Sequence, residues 1–303
     1  MPDHVVAPSD GAQPEQSRPD PSRPDRSRAD RCPGALRPWP AEDGLLVRLR
    51  LIGGRLPLCS LRAVVEVAER YGDGRIHLTG RANLQLRGLP GRDGSLAPAA
   101  LVAIERTGLL PTRTHELVRN VMVSPQTGLA GGHADLRPVA RDLDRLIRAD
   151  ARLAGLPGRF LFVLDDGRGD LVDRPCDLGL VALDRATAQL RVGAGWGEVV
   201  PLATAAATLA DLAARFADRR GSGPSAAWHV AELPSPLIAP QPPDRRVPDP
   251  AGPLAFGIVP GGRHVAASAG LVRADVEQLT VDVPDVVVTP WRGVLVPQGR
   301  GRA

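Results

Sequence analysis

A chain of 303 residues, 43% hydrophobic and 24% charged, can bury more than one core, and two or three domains are expected. The sequence has no run of about eighteen apolar residues and no apolar stretch behind Met1, so neither a membrane-spanning helix nor a signal peptide is expected, and a cytoplasmic location is. The net charge of +4 is dispersed, with no basic block outside the N-terminal tail, so nucleic acid is not an expected partner.

All the basic charge is arginine; the sequence contains no lysine. Any carboxylate the protein binds therefore meets planar guanidinium groups, which donate two parallel hydrogen bonds. The three cysteines, Cys32, Cys59 and Cys176, are far apart and form no C-x-x-C pair. They read as structural thiols, and no metal ligands are assigned.

Residues 1–40 repeat a Ser-Arg-Pro-Asp unit with few apolar residues and read as a disordered tail. In residues 41–111 the alternation of Leu45 to Leu51 predicts a strand, and Ser60 is placed as the N-cap of a helix through Tyr71. Two strands, Arg75–Thr79 and Asn83–Arg87, and a helix from Ala97 to Arg106 complete most of a ferredoxin-like split βαβ unit. Residues 112–231 read as an α/β domain. Its strands are expected at Leu117–Val123 and Arg159–Leu164, with a hairpin at Leu178–Asp184 and Gln189–Val192. Helices are expected at Asp135–Asp150 and Pro201–Ala217, and Asp165-Asp166-Gly167 as a turn.

Residues 232–253 are dense in proline and read as a linker. The first pattern then returns in residues 254–303: Gly261-Gly262-Arg263 echoes Gly53-Gly54-Arg55, and Thr289-x-x-Arg292 echoes Thr79-x-Arg81. A repeat separated by about 210 residues is too long for a solenoid and predicts a duplicated domain, the second copy partial.

Four segments carry a family resemblance. Ile76-His77-Leu78-Thr79-Gly80-Arg81-Ala82-Asn83-Leu84-Gln85 and Arg119-Asn120-Val121-Met122-Val123-Ser124-Pro125 resemble motifs of the nitrite/sulfite reductase superfamily. Leu156-Pro157-Gly158-Arg159-Phe160 is similar to a third, and Thr289-Pro290-Trp291-Arg292-Gly293 to a motif of precorrin-3B synthases. The resemblance implies an α+β fold: a ferredoxin-like half-domain, an α/β middle domain and a second, partial half-domain related by a pseudo-twofold axis. It also implies an oxidoreductase of cobalamin biosynthesis that uses dioxygen to hydroxylate a precorrin, and hence a carboxylated tetrapyrrole as partner.

Carried over residue by residue, Arg81, Arg119, Arg159 and Arg292 are the expected carboxylate ligands, with Asn83 and Asn120 beside them. The resemblance implies a 4Fe-4S cluster, and sirohaem in the reductases. The three cysteines supply no cluster motif, so a second polypeptide is expected to bring that segment. A non-catalytic tetrapyrrole-binding protein and a truncated gene product remain open alternatives.

Overall fold

The computed structural model describes residues 30, 32–279 and 283–298. The first unit contains β1 (Trp39–Ala41), β2 (Gly44–Leu49), β3 (Arg55–Pro57), α1 (Leu58–Tyr71), β4 (His77–Leu78) and β5 (Leu84–Leu89). A small hairpin of β6 (Gly91–Arg92) and β7 (Ser95–Leu96) and helix α2 (Pro98–Arg106) follow. The middle unit has β8 (Val121–Val123), α3 (Arg137–Ala149), β9 (Phe162–Asp165), β10 (Leu178–Ala182), β11 (Thr187–Val192), β12 (Gly195–Pro201) and α4 (Leu202–Arg219). The last unit has β13 (Gly257–Val259), β14 (Gly262–Ala266), α5 (Arg273–Leu279), β15 (Asp285–Val288) and β16 (Gly293–Pro297).

Local pattern explains most of these elements. In β2 the alternation buries Leu45, Val47 and Leu49 on one face and turns Leu46 and Arg48 to the other. Helix α1 buries Leu61, Val64, Val65 and Ala68, a stripe at helical spacing. It begins at Leu58 behind Pro57, whose fixed φ of −58° sets the entry, so the expected cap Ser60 lies inside the first turn and makes no cap bond. Helix α3 likewise buries Val139, Ala140, Leu143 and Ile147, and α4 packs through small residues such as Ala205 and Ala213. Each such fully buried Leu or Val contributes about 1.5–3 kcal/mol relative to exposure.

The outer units repeat one topology. The first sheet has the order β1-β2-β5-β4, and the last unit's own strands the order β13-β14-β16-β15. The two also exchange edges. β3 leaves its own sheet to pair antiparallel with β15, while Leu271, just before α5, exchanges both backbone hydrogen bonds with Ile76, just before β4. A single hydrophobic cluster accordingly joins Leu49, Val64 and Leu86 to Leu271, Val286 and Val294.

The middle unit is a five-stranded mixed sheet, β12-β11-β10-β9-β8, with β8, β9 and β10 parallel. Gly53-Gly54 of the first unit touches both of the others. Gly53 N–H donates to Val121 O at 2.8 Å, and Gly54 O accepts from Val288 N–H at 2.8 Å. Both glycines have positive φ, +59° and +70°, and a β-carbon on Gly54 would collide with Val288 O.

Two expectations about the duplication are corrected in register. β14 starts at Gly262 as β2 starts at Gly44, so the counterpart of Gly261-Gly262 is the β1–β2 turn rather than Gly53-Gly54. The turns after β4 and β15 superpose bond for bond. Thr79 N–H donates to Asn83 O and Thr289 N–H to Gly293 O, and each threonine Oγ1 accepts the N–H four residues on, both at 3.2 Å. Ala82 and Arg292 share φ of 55° in these turns. Arg292 is thus the counterpart of Ala82, and Trp291 that of Arg81.

Part of the expected tail is packed structure. Ala35 is buried, the Glu116 carboxylate accepts the Ala35 and Leu36 N–H groups at 2.7 and 2.8 Å, and Trp39 opens β1. A few apolar residues among many polar ones suffice when a buried carboxylate orders the backbone. The proline-rich stretch runs along β12, where Gln241 N–H donates to Trp196 O, and buries Leu237.

Candidate functional site

Of the expected site residues, the structure brings Arg81, Asn83, Asn120 and Arg159 to the junction of the first and middle units. Arg81 lies in the turn between β4 and β5 and donates from Nη1 to Arg159 O at 3.0 Å. The Arg159 guanidinium stacks 4.4 Å above the Trp228 ring. Asn120 donates from Nδ2 to Leu117 O and to Gly158 O, 3.1 and 2.9 Å. Asn83 Oδ1 accepts from Leu51 N–H at 2.9 Å and thereby ties the turn to the end of β2.

Two further arginines complete the group, and sequence reasoning missed both. Arg48 on β2 and Arg50 just beyond it point away from the face that α1 covers. Arg50 is 3% exposed and donates from Nε to Asn120 Oδ1 at 3.0 Å and from Nη1 to Pro33 O at 3.2 Å. Burial, with Arg48 adding repulsion, pushes Arg50 down to about 10; Arg48 is lowered by burial and by Arg81. The available signal was the alternation Arg48-Leu49-Arg50-Leu51, which sets both cations opposite the core face.

The electrostatics point one way. Among the described residues, the sealed side-chain nitrogens without a hydrogen-bond acceptor are Arg48 Nε, Arg50 Nη2, Asn83 Nδ2 and Arg159 Nε, all in this group. Each is a donor. Two carboxylates lie near the group: Glu116, engaged by the Ala35 and Leu36 N–H groups, and Asp30, held by Gly158 N–H at 2.5 Å and Cys32 N–H at 3.1 Å, and 3.9 Å from Arg159 Nε. Burial raises the Asp30 pKa, but these N–H groups and Arg37 outweigh it and hold Asp30 below its ordinary value. A group of guanidinium ions short of acceptors is suited to a ligand with several carboxylates.

Two expected residues lie apart. Arg119 precedes Asn120 but turns to α3, where its Nε donates to Asp144 Oδ1 at 2.6 Å. Arg292 is exposed on the second turn. Asp165 is a loop organiser, accepting the Gly167, Gly169 and Leu171 N–H groups at 2.8–3.0 Å, as the turn reading expected. No group of three or more His, Cys, Asp and Glu side chains suited to a metal ion occurs among the described residues. No described helix is long and apolar enough to cross a membrane.

Comparison with known proteins follows this geometry. Residues 39–93 match the family described as nitrite/sulfite reductase ferredoxin-like half domain. The solved structure of the NirA protein of Mycobacterium tuberculosis superposes with a TM-score of 0.64, covering 84% of this chain and 54% of that one at 17% identity, a likeness of fold. The chain has the α+β fold of nitrite/sulfite reductases, with ferredoxin-like half-domains. Within that class it resembles a precorrin-3B synthase of Sinorhizobium, at 32% identity over 147 residues, 45% of this chain and 28% of that protein. A ferredoxin–nitrite reductase of Leptolyngbya laminosa is 33% identical over 129 residues, 40% of this chain and 25% of the relative. The aligned stretches span about a quarter of these curated relatives.

Proposed function

We propose that the junction of the first and middle units binds a carboxylate-rich tetrapyrrole, and that the chain is the ring-gripping part of a precorrin-3B synthase-like oxidoreductase of cobalamin biosynthesis. The observation that carries the reading is the set of sealed, acceptor-less donors on Arg48, Arg50, Asn83 and Arg159. Arg48, Arg81 and Arg159 receive the ring carboxylates and so fix the macrocycle's orientation. Asn83 and Asn120 hold the turn and Arg50 in place. Arg119 and Arg292 are outlying cations, Arg119 turned to Asp144 and Arg292 exposed on the second turn.

Sirohaem and a precorrin both present ring carboxylates that such guanidinium groups fit. A 4Fe-4S cluster does not fit the cysteines of this chain. Cys32 lies beside the arginines, Cys59 is exposed at the start of α1, and Cys176 packs against Gly193 O. Burial pushes Cys176 up to about 11, away from the thiolate a cluster needs. A cluster would take cysteines from outside these 303 residues, as from a second polypeptide. Without such a partner, the dispersed thiols favour a second reading, a binding protein that holds or delivers the ring without chemistry.

The test is a titration of the purified chain with uroporphyrin I, followed by ring fluorescence, comparing wild type with Arg81→Ala and Arg159→Ala. The reading expects saturable binding weakened about tenfold or more in each variant, since a charge-assisted hydrogen bond is worth about 1.5–3 kcal/mol. Equal affinity in all three proteins removes the junction from the site.

A further inference from the structure

The residues ahead of β1 run across the arginine group. Arg50 Nη1 donates to Pro33 O at 3.2 Å, and Arg37 Nη2 donates to Cys32 O at 3.1 Å. The Cys32 side chain packs on Gly158, where an added β-carbon would lie 2.8 Å from Cys32 Cβ. Asp30 reaches the same loop of the middle unit. Its Oδ2 accepts Gly158 N–H at 2.5 Å, and its Oδ1 lies 3.9 Å from Arg159 Nε.

This segment covers the arginines without satisfying them. Arg48 Nε, Arg50 Nη2 and Arg159 Nε are shut from solvent yet have no acceptor. Cys32 is close enough to act on the charge of both Arg48 and Arg50, and Asp30 on that of Arg50. Asp30 thus brings one carboxylate to a group of donors that could take several.

The two ends of the segment are fastened unequally. Glu116 accepts the Ala35 and Leu36 N–H groups at 2.7 and 2.8 Å, Ala35 is buried, and Trp39 enters β1. The other end hangs on the Asp30 carboxylate and on Pro33 O, which hold it to Gly158 and Arg50. Gly34 stands at the bend between them, its N–H donating to Arg37 O at 3.0 Å. Lifting the Asp30 end therefore breaks few bonds and leaves the Glu116 anchor intact.

We infer that the end carrying Asp30, Cys32 and Pro33 is a self-inhibiting plug. Its Asp30 carboxylate stands where a ring carboxylate would sit, on Gly158 N–H beside Arg159, and the plug lifts to admit the tetrapyrrole. This role rests on the ring-binding reading of the junction and adds how access to it is controlled. A ring carboxylate gives the sealed donors the acceptors that the plug withholds, so the ligand favours the open form. In its absence the closed form lowers the apparent affinity by the fraction of chains that are open.

The test uses the full chain and uroporphyrin I, followed by ring fluorescence. Gly158→Cys places a second thiol against Cys32, at a position whose φ is not in the left-handed region, so diamide can cross-link the plug shut. The cross-linked protein is expected to bind at least about tenfold more weakly than the same protein after reduction with dithiothreitol. Comparing two redox forms of one variant cancels any effect of the substitution itself. Asp30→Ala, which needs no cross-link, removes the latch and is expected to bind about fivefold more tightly than wild type. Equal affinity in the cross-linked and reduced forms overturns the plug. So does Asp30→Ala binding no more tightly than wild type, because Asp30 then does not compete with the ring. Absence of binding in every form, wild type and Asp30→Ala included, overturns the ring-binding reading itself, and the plug with it.

Discussion

Arg81 Nη1 donates to Arg159 O across the junction of two units, at 3.0 Å. The residue whose guanidinium stacks on Trp228 is thus held at its backbone carbonyl by the side chain of another arginine from a different unit. Under the proposed ring-binding reading, replacing Arg81 removes both a cation for the ring and a clamp. Arg81→Lys keeps the charge but loses the planar fork. It is therefore expected to fall between wild type and Arg81→Ala in uroporphyrin affinity, and a Lys variant equal to wild type would reduce Arg81 to a point charge.

How much of this was legible follows from where the forces act. Arg81, Asn83, Asn120 and Arg159 lie in short motifs, so the sequence marked them as candidates, and the structure places all four at one junction. Arg48 and Arg50 were hidden because strand alternation reads first as core against solvent, and a cation opposite the core is taken as solvated. Arg50, 3% exposed, is buried by Asn120 and Pro33, which are distant in sequence. The pairings of β3 with β15 and of Leu271 with Ile76 leave no periodic trace, because edge exchange depends on contacts between the two repeats. Strand β12 escaped detection because its Gly195-Trp196-Gly197 start carries a turn signal.

Gly54 gives a stability prediction. Its φ is +70°, and an added β-carbon meets the backbone oxygen of Val288, which no side-chain rotation relieves. Gly54→Ala is expected to cost about 2–4 kcal/mol, through strain and loss of the Val288-to-Gly54 hydrogen bond. Chemical denaturation would show this as a lower midpoint, whereas Gly74→Ala, with positive φ but open space around it, should cost less.

Asp170 predicts a pH dependence of stability. Burial, with the neighbouring Asp165 charge, raises its pKa to about 7, although the Ser124 hydroxyl donates to it at 2.6 Å. A folded-state pKa above the unfolded value near 3.9 means the native chain binds the extra proton. The resulting stability is fully present below about pH 4 and is lost as pH rises through about 7. The swing is on the order of 4 kcal/mol. Thermal melts at pH 5 and pH 8 should therefore separate less in Asp170→Asn than in wild type. Equal separation in the two proteins would mean that Asp170 is ionised across the range.

Asn120 carries the last prediction, because it joins stability to the site. Its Oδ1 is the acceptor for the buried Arg50 Nε, and its Nδ2 serves two carbonyls, those of Leu117 and Gly158. Asn120→Ala strands a guanidinium that already lacks an acceptor at Nη2, and leaves both carbonyls without their donor. Unsatisfied buried groups cost about 1–3 kcal/mol each, more when charged, so a loss of about 3 kcal/mol is expected after partial relaxation. Asn120→Asp offers Arg50 a formal charge but cannot donate to Gly158 O, which precedes Arg159. It should recover stability relative to Ala while leaving uroporphyrin affinity low. Recovery of both would show that Asn120 matters only as a partner of Arg50 and not as the brace that sets Arg159.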